Sequence, residues 1–172
     1  MNPIKDLLLY KQWANDLLFG AVSRMPESEL TRPRPIIFGS LLRTLNHVHA
    51  MDHVWRCHLE GRPHALTTRN PPECPPFDEL DYRQREMDAW YLQYADGLAA
   101  GALDHVVEFT FIGGGAGSMS RGEILLHVVN HGTYHRGHVA DMMYGTETPP
   151  PTTDLPVFLR GRAGERLKDA SL

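Results

Sequence analysis

The sequence predicts an all-α protein: a four-helix bundle with a long crossover connection and a small β-hairpin insert. Four stretches repeat apolar residues at three- and four-residue spacing, which gives each stretch one apolar helix face. A proline-rich segment separates the second stretch from the third, and a β-like run with a glycine cluster separates the third from the fourth. Amphipathic helices that bury their apolar faces against one another are typical of a bundle.

The first two helices have clear boundaries in the sequence. The first is predicted over residues 4–25, since Asn2 can cap it and Pro3 suits a first turn that needs no amide donor. The second is predicted over residues 40–60, and Gly61 supplies a stop signal after it.

The connection to the third helix contains five prolines within residues 62–77. Because proline lacks an amide donor, this segment is predicted as an extended crossover rather than a helix or a central strand. The third helix is predicted to begin at Asp78, whose carboxylate can cap the first amides, and to end at Gly101.

The hairpin and the fourth helix follow directly on one another. A β-like run over residues 106–112 leads into the glycine-rich residues 113–117, and together they predict the hairpin. The fourth helix is predicted over residues 120–144, where Ser120 and Glu123 have the spacing of a capping box.

Length, charge and hydropathy limit the class of protein. The 172 residues suit one domain, which we assign to residues 1–160, followed by a polar C-terminal tail over residues 161–172. The 17 basic and 21 acidic residues give a net charge of -4, so no basic surface indicates nucleic acid as a partner. No apolar run approaches the ~20 residues of a membrane span and no signal peptide is recognisable, so we expect a cytoplasmic protein without a membrane partner.

The ten histidines are clustered rather than scattered. His127, His131 and His135 follow at four-residue steps and His138 comes three residues later, so all four lie along one face of the fourth helix. Random placement would give about 0.6 pairs at four-residue spacing. The chain has three such pairs, one of them on the second helix, which indicates a shared role for the stripe.

Imidazoles one helical turn apart can each direct a nitrogen at a common metal ion. A stable site needs a third ligand from a neighbouring helix, and three protein ligands leave a position open, as in catalytic sites. The second helix offers four candidates, and spacing alone does not choose among them: His47, His49, His53 and His58.

Other residues are candidates for supporting roles at such a site. We expect His127 to support a ligand imidazole rather than bind the ion, because three successive turns cannot easily converge on one point. His138 is open between a ligand, a supporting group and a polar member of the same face. The carboxylates of Asp52, Glu123 and Asp141 can accept a hydrogen bond from a ligand imidazole, or can be solvated helix charges.

Three segments together resemble a known family. Residues 127–138 read HVVNHGTYHRGH, and residues 45–55 read LNHVHAMDHVW, with a histidine followed five residues later by Asp and eight later by Trp. Residues 10–15, YKQWAN, fit as well. From the first helix to Gly145 the chain resembles the DinB/YfiT-like family of bacterial metal-binding four-helix bundles.

Carried over residue by residue, the resemblance implies that His47, His131 and His135 bind one divalent metal ion. Zinc and nickel both suit imidazole ligands. The family commonly has Gln where this chain has His138, so a fourth-ligand or proton-transfer role for His138 stays open. The resemblance also implies a homodimer.

Thiol-dependent transferases and isomerases occur among members of the DinB/YfiT-like family. The resemblance therefore implies a metal-dependent enzyme of thiol-transfer type, which would use a low-molecular-weight thiol and a small-molecule substrate. A metal-dependent hydrolase and a non-enzymatic metal-binding stress-response protein are the alternatives. Gly132 stands where the HExxH motif of metalloproteases has its Glu, so peptide hydrolysis is not expected.

Overall fold

The computed structural model describes residues 3–169, with side chains described as far as Arg162. Within that part of the chain there are six helices, one 3₁₀ turn and a two-stranded sheet. In chain order the elements are α1 (Pro3–Val22), α2 (Glu27–Thr31), α3 (Leu41–Leu59), α4 (Phe77–Asp96), the 3₁₀ turn (Ala102–Asp104), β1 (Val106–Thr110), β2 (Ala116–Ser120), α5 (Arg121–Tyr144) and α6 (Leu155–Asp169).

The four long helices α1, α3, α4 and α5 form a bundle. Helix α1 packs against α4 and α5, and α3 packs against the same two helices, so that α3 and α5 are direct neighbours. The prediction of an all-α bundle with a crossover and a hairpin insert is confirmed. None of the described helices is long and apolar enough to cross a membrane.

The buried interior of the described residues has two large apolar clusters with a polar layer between them, and a small third cluster of Ala50, Met51 and Val54. The first surrounds Leu8 and Tyr91, and the second surrounds Leu18 and Leu80. The side chains between the clusters are polar or charged, yet buried, and come from all four long helices: Lys11, Asn15, Asp52, Gln84, Asp88 and Arg136. This layer lies at the level of the α5 histidines and backs the site described below.

The predicted end of the third helix at Gly101 is wrong. Helix α4 ends at Asp96, and the amide of its C-cap, Gly97, makes the last helical hydrogen bond, to the carbonyl oxygen of Gln93 at 3.0 Å. Gly101 instead has φ 79° and opens the 3₁₀ turn. The predicted cap also differs, since the helix begins at Phe77 and Asp78 lies in its first turn without capping it.

The hairpin has the predicted position, and its second strand leads straight into α5. Strands β1 and β2 are antiparallel, with Phe109 opposite Gly117. Position 117 requires a glycine, because a Cβ atom there would lie 2.6 Å from the Phe109 ring. Ser120 ends β2 and accepts a hydrogen bond from the Glu123 amide, while the Glu123 carboxylate accepts from the Ser120 amide, which confirms the capping box.

Two helices were not predicted from the sequence. Helix α2 has only 5 residues, too few to show periodicity. Helix α6 runs through much of the segment interpreted as a polar tail, as far as Asp169. Its anchor is Phe158, whose ring lies 5.8 Å from Tyr10 and 5.5 Å from Trp13, contacts with α1 that are distant in sequence.

Candidate metal centre

Three histidines from two neighbouring helices converge at one point. His47 comes from α3, and His131 and His135 are one turn apart on α5. One ring nitrogen from each lies within 4.8 Å of the others. The Nε2 atoms of His47 and His131 are 3.2 Å apart, close to the roughly 3.3 Å that separates two nitrogen ligands of a tetrahedral ion. The cluster is compatible with a bound metal ion.

Hydrogen bonds orient two of these rings. Nδ1 of His47 lies 2.6 Å from the carbonyl oxygen of Arg69 and donates to it, so Nε2 keeps its lone pair and faces the other histidines. Nδ1 of His135 lies 3.3 Å from Nδ1 of His138. If His135 donates in that pair, its own Nε2 is free to bind a metal ion. His138 thus contacts a candidate ligand, and its position suits a supporting role.

Burial keeps the three imidazoles neutral. Desolvation, followed by the charges of neighbouring histidines, lowers the pKa of His131 and of His135 to about 3. Desolvation also lowers the pKa of His47. Each ring therefore offers a lone pair at neutral pH. Nδ1 of His131 is buried without a hydrogen-bond partner among the described residues, an unfavourable arrangement typical of functional sites.

An aromatic ring covers the centre from the connection between α2 and α3. Phe38 stacks on His47 with ring centroids 4.0 Å apart and an interplanar angle of 20°. It also lies 5.4 Å from the ring of His135. Phe38 therefore limits the rotation of His47 and shields one side of the cluster.

The other three histidines of α3 lie away from the cluster, and this position distinguishes them from His47. His49 faces Gln84 at 3.3 Å, and His53 faces the thiol of Cys57 at 3.5 Å. His58 lies edge-on to Trp55 with the ring centroids 5.4 Å apart. Among the described histidines of α3, His47 is the one whose ring nitrogen lies close to those of His131 and His135.

The polar layer behind the cluster holds two buried carboxylates. Asp52 accepts from Lys11 at 2.8 Å and from Gln84 at 3.0 Å, while Asp88 accepts from Lys11 and from Asn15 at 2.7 Å. None of these bonds goes to a histidine. The structure therefore shows no hydrogen bond between Asp52 and a ligand imidazole. Asp52 belongs instead to an ion network with side chains of α1 and α4.

Arg136 connects α5 to this network. Its Nη1 lies 3.3 Å from Oδ1 of Asn15, and its Nη2 lies 2.8 Å from Oγ1 of Thr133. Arg136 directly follows His135 in the chain. The buried polar layer therefore reaches the helix turn that carries a candidate ligand.

A cavity of about 770 Å³ opens onto the three histidines. Its lining includes His58, His127 and His138, the cation Arg69, and no carboxylate from the described residues. The remaining wall is largely apolar or aromatic: Ile37, Phe38, Met51, Val54, Trp55, Phe111, Ile112 and Tyr134. This volume lies within the range of about 300–1,000 Å³ of small-molecule sites.

His127 lies in the cavity wall rather than at the metal centre. Its ring centroid is 4.9 Å from that of Trp55 and 5.7 Å from that of His131. It does not share the converging nitrogens of the cluster. The role of His127 in supporting a ligand imidazole stays a prediction.

Comparison with known proteins identifies the relatives of this bundle. The profile of the DinB family matches residues 1–167. The chain belongs to the DinB family. It is 25% identical over 159 residues to Protein DinB of Bacillus subtilis, a match that covers 87% of this chain and 90% of that protein.

A solved DinB-family structure has the same fold. The crystal structure of a DinB-like protein from Bacillus cereus superposes with a TM-score of 0.65 and covers 84% of this chain and 91% of that one. The two sequences are 14% identical, so the likeness concerns the fold alone. The resemblance read from the histidine motifs is thereby confirmed at the level of family and fold.

Three features of the site were missed by sequence reasoning. Phe38 and Arg69 lie on irregular connections, where periodicity gives no signal. Lys11 did give a signal in the sequence, since this lysine falls on the buried face of the first helix between Leu8 and Ala14. A charged residue on an apolar stripe indicates a buried partner of opposite charge.

Proposed function

We propose that this DinB-family protein binds one divalent metal ion through His47, His131 and His135 and is a metal-dependent enzyme of thiol-transfer type. The observation that carries the proposal is the convergence of three neutral imidazoles within 4.8 Å beside a cavity of about 770 Å³. A divalent ion bound there supplies a Lewis acid with an open coordination position. Zinc and nickel both suit such a ligand set.

The cavity lining favours thiol chemistry over peptide hydrolysis. No carboxylate from the described residues lines it, so the general base of metalloproteases has no counterpart here. Burial lowers the pKa of His127, which keeps its imidazole neutral but makes it a weaker base. It can accept the proton of a low-molecular-weight thiol whose own pKa a bound ion would lower. The thiolate sulfur would then form a bond to an electrophilic carbon of a small-molecule substrate, while the bond from that carbon to its leaving group breaks. The leaving group takes the bonding electron pair and receives the proton from His127.

The first test is the metal content of tag-free protein purified without added metal. We expect about one equivalent in the wild type and none in His131→Ala. His105→Ala is the matched control, because His105 is exposed and lies outside the cluster. Absence of metal in the wild type, together with no uptake of added zinc or nickel, would refute the proposed centre.

The second test is turnover. Metal-loaded protein is screened with several low-molecular-weight thiols and electrophiles, and we expect thiol transfer that the metal-free protein lacks. Ester or amide turnover without thiol, lost in His131→Ala, would identify a hydrolase instead. Bound metal without any turnover would favour a non-enzymatic metal-binding protein.

The proposal extends to partners and location. We propose a homodimer in the cytoplasm that acts on a small molecule and has neither nucleic acid nor membrane as a partner. Support comes from family resemblance for the dimer and from the formal charge of -4 for the absence of nucleic acid. Analytical ultracentrifugation measures the oligomeric state, and a monomer at micromolar concentration would contradict the dimer.

A further inference from the structure

The crossover between α3 and α4 is held against α3 beside the metal centre. Three side chains of α3 within about one turn of one another hold it: Arg43, Asn46 and His47. Their acceptors are Oδ1 of Asn70 at 3.0 Å and the carbonyl oxygens of Pro72 at 3.3 Å, Glu73 at 3.0 Å and Arg69 at 2.6 Å. An irregular segment with this many bonds has a defined position.

Arg69 is the cation that this segment brings to the cavity. Its own carbonyl accepts from His47, so its backbone is fixed next to the metal centre. Its side chain is exposed and lines the cavity, and no ion pair engages it among residues 3–162. In contrast, Arg62 of the same connection pairs with Glu60. Because no carboxylate lines the cavity, the charge of Arg69 is unopposed there.

A different part of the cavity wall is aromatic. Trp55 and Phe111 line it, and both rings lean on Phe109, with ring centroids 4.9 Å and 5.0 Å from it respectively. The missing Cβ of Gly117 lets the Phe109 ring lie against β2. Phe111 is 51% exposed, so part of this apolar wall is free to contact a ligand.

We propose that the substrate class of this site is a small organic anion with a flat apolar body. Arg69 binds the anionic group, since its planar guanidinium matches carboxylate and sulfonate oxygens with paired donors. Trp55 and Phe111 contact the apolar body. This inference rests on the proposed function for its place in a reaction, but the binding step needs neither a thiol nor turnover.

The test is calorimetric titration with two probes that share a ring. These are 2-naphthalenesulfonate, an anion that coordinates metals weakly, and the neutral 2-naphthalenemethanol. Wild-type protein should bind the sulfonate about tenfold more tightly than the alcohol, the difference that about 1.4 kcal/mol produces. The titrations use metal-free protein, in which Arg69 is the cation of the cavity lining. Bound metal should not weaken the preference, because its charge adds to that of Arg69.

Matched variants assign the preference to its residue. In Arg69→Gln we expect both probes to bind with equal affinity, whereas Arg62→Gln should keep the tenfold preference. Phe111→Ala should weaken both probes by a similar factor. An undiminished preference in Arg69→Gln, or no binding of the sulfonate to the wild type, would overturn the inference.

Metal content separates this inference from the proposed function. Arg69→Gln should keep its metal, because His47 donates to a backbone carbonyl that the substitution leaves in place. Loss of the anion preference with metal retained supports the inference. Metal binding and thiol transfer without any anion preference would refute this inference alone. An anion preference in a protein that takes up no added zinc or nickel would refute only the proposed function.

Discussion

Replacing Lys11 with methionine tests the buried charge network at its centre. Nζ of Lys11 lies 2.8 Å from Oδ2 of Asp52 and also bonds Asp88, and the lysine side chain is 1% exposed. Burial by itself lowers the pKa of the ammonium group, but the charges of the two carboxylates outweigh burial and raise it. Lys11 is therefore charged at neutral pH, and the substitution leaves two buried carboxylates without their shared cation.

The expected loss of stability depends on the hydrogen bonds that the two carboxylates keep after the substitution. Removing one partner of a buried ion pair costs about 3–5 kcal/mol, because the other charge stays in a medium of low polarity. Asn15 still donates to Asp88 at 2.7 Å, and Gln84 still donates to Asp52 at 3.0 Å. Since each carboxylate keeps a donor, we expect the lower end of that range, about 3 kcal/mol.

Urea unfolding followed by circular dichroism measures this loss. The matched control is Arg85→Met, because Arg85 of α4 pairs at the surface with Asp16 of α1 at 2.5 Å and with Asp81 of its own helix. An exposed pair contributes about 0–1 kcal/mol. If Lys11→Met loses no more stability than Arg85→Met, the reasoning about buried charge is refuted.

Four further predictions concern the metal centre, the hairpin and the helix cap. Metal-free protein should lose stability as the pH falls from about 6.5 towards about 3. In the folded protein the pKa of His131 and of His135 is about 3, so the unfolded chain binds protons over this range that the folded chain does not. A melting temperature that stays constant over that range would contradict neutral burial of these rings. Added zinc should raise the melting temperature of the wild type but not of His131→Ala, and equal shifts in calorimetry would place the ion elsewhere. Gly117→Val should displace the Phe109 ring, which would lie 2.6 Å from the new Cβ, and near-ultraviolet circular dichroism should show the change; an unaltered spectrum would contradict that packing. Ser120→Ala should lower the unfolding free energy by about 1 kcal/mol in urea titrations, and no loss would mean that the cap is dispensable.

Local chemistry made most of the fold predictable. The capping box at Ser120 and Glu123 defines the start of α5 without reference to the rest of the chain. Helical spacing likewise places His131 and His135 on one face, whatever the helix packs against. These features depend on residues within one or two turns, which is the range over which sequence patterns are informative.

Tertiary contacts decided what the sequence left open. The predicted stop at Gly101 failed because an earlier glycine, Gly97, already closes α4. Helix α6 depends on the contact of Phe158 with α1, which no local pattern reveals. Spacing did not distinguish His47 from its neighbours on α3, since the choice depends on which flank of that helix faces α5. Family resemblance supplied His47, and the structure brings it to the cluster.

The layer of buried charges also fixes how the helices are aligned along the bundle axis. Apolar clusters tolerate a slide of one helix past another, because one leucine can replace its neighbour in the same space. A slide of one turn, about 5.4 Å, would instead part Lys11 from Asp52 and Asp88 and isolate three charges away from water. Asp52 lies five residues after His47 on α3. The layer that prevents slippage of α3 against α1 and α4 therefore holds His47 at a constant height, and a mobile bundle could not keep three imidazoles within reach of one ion.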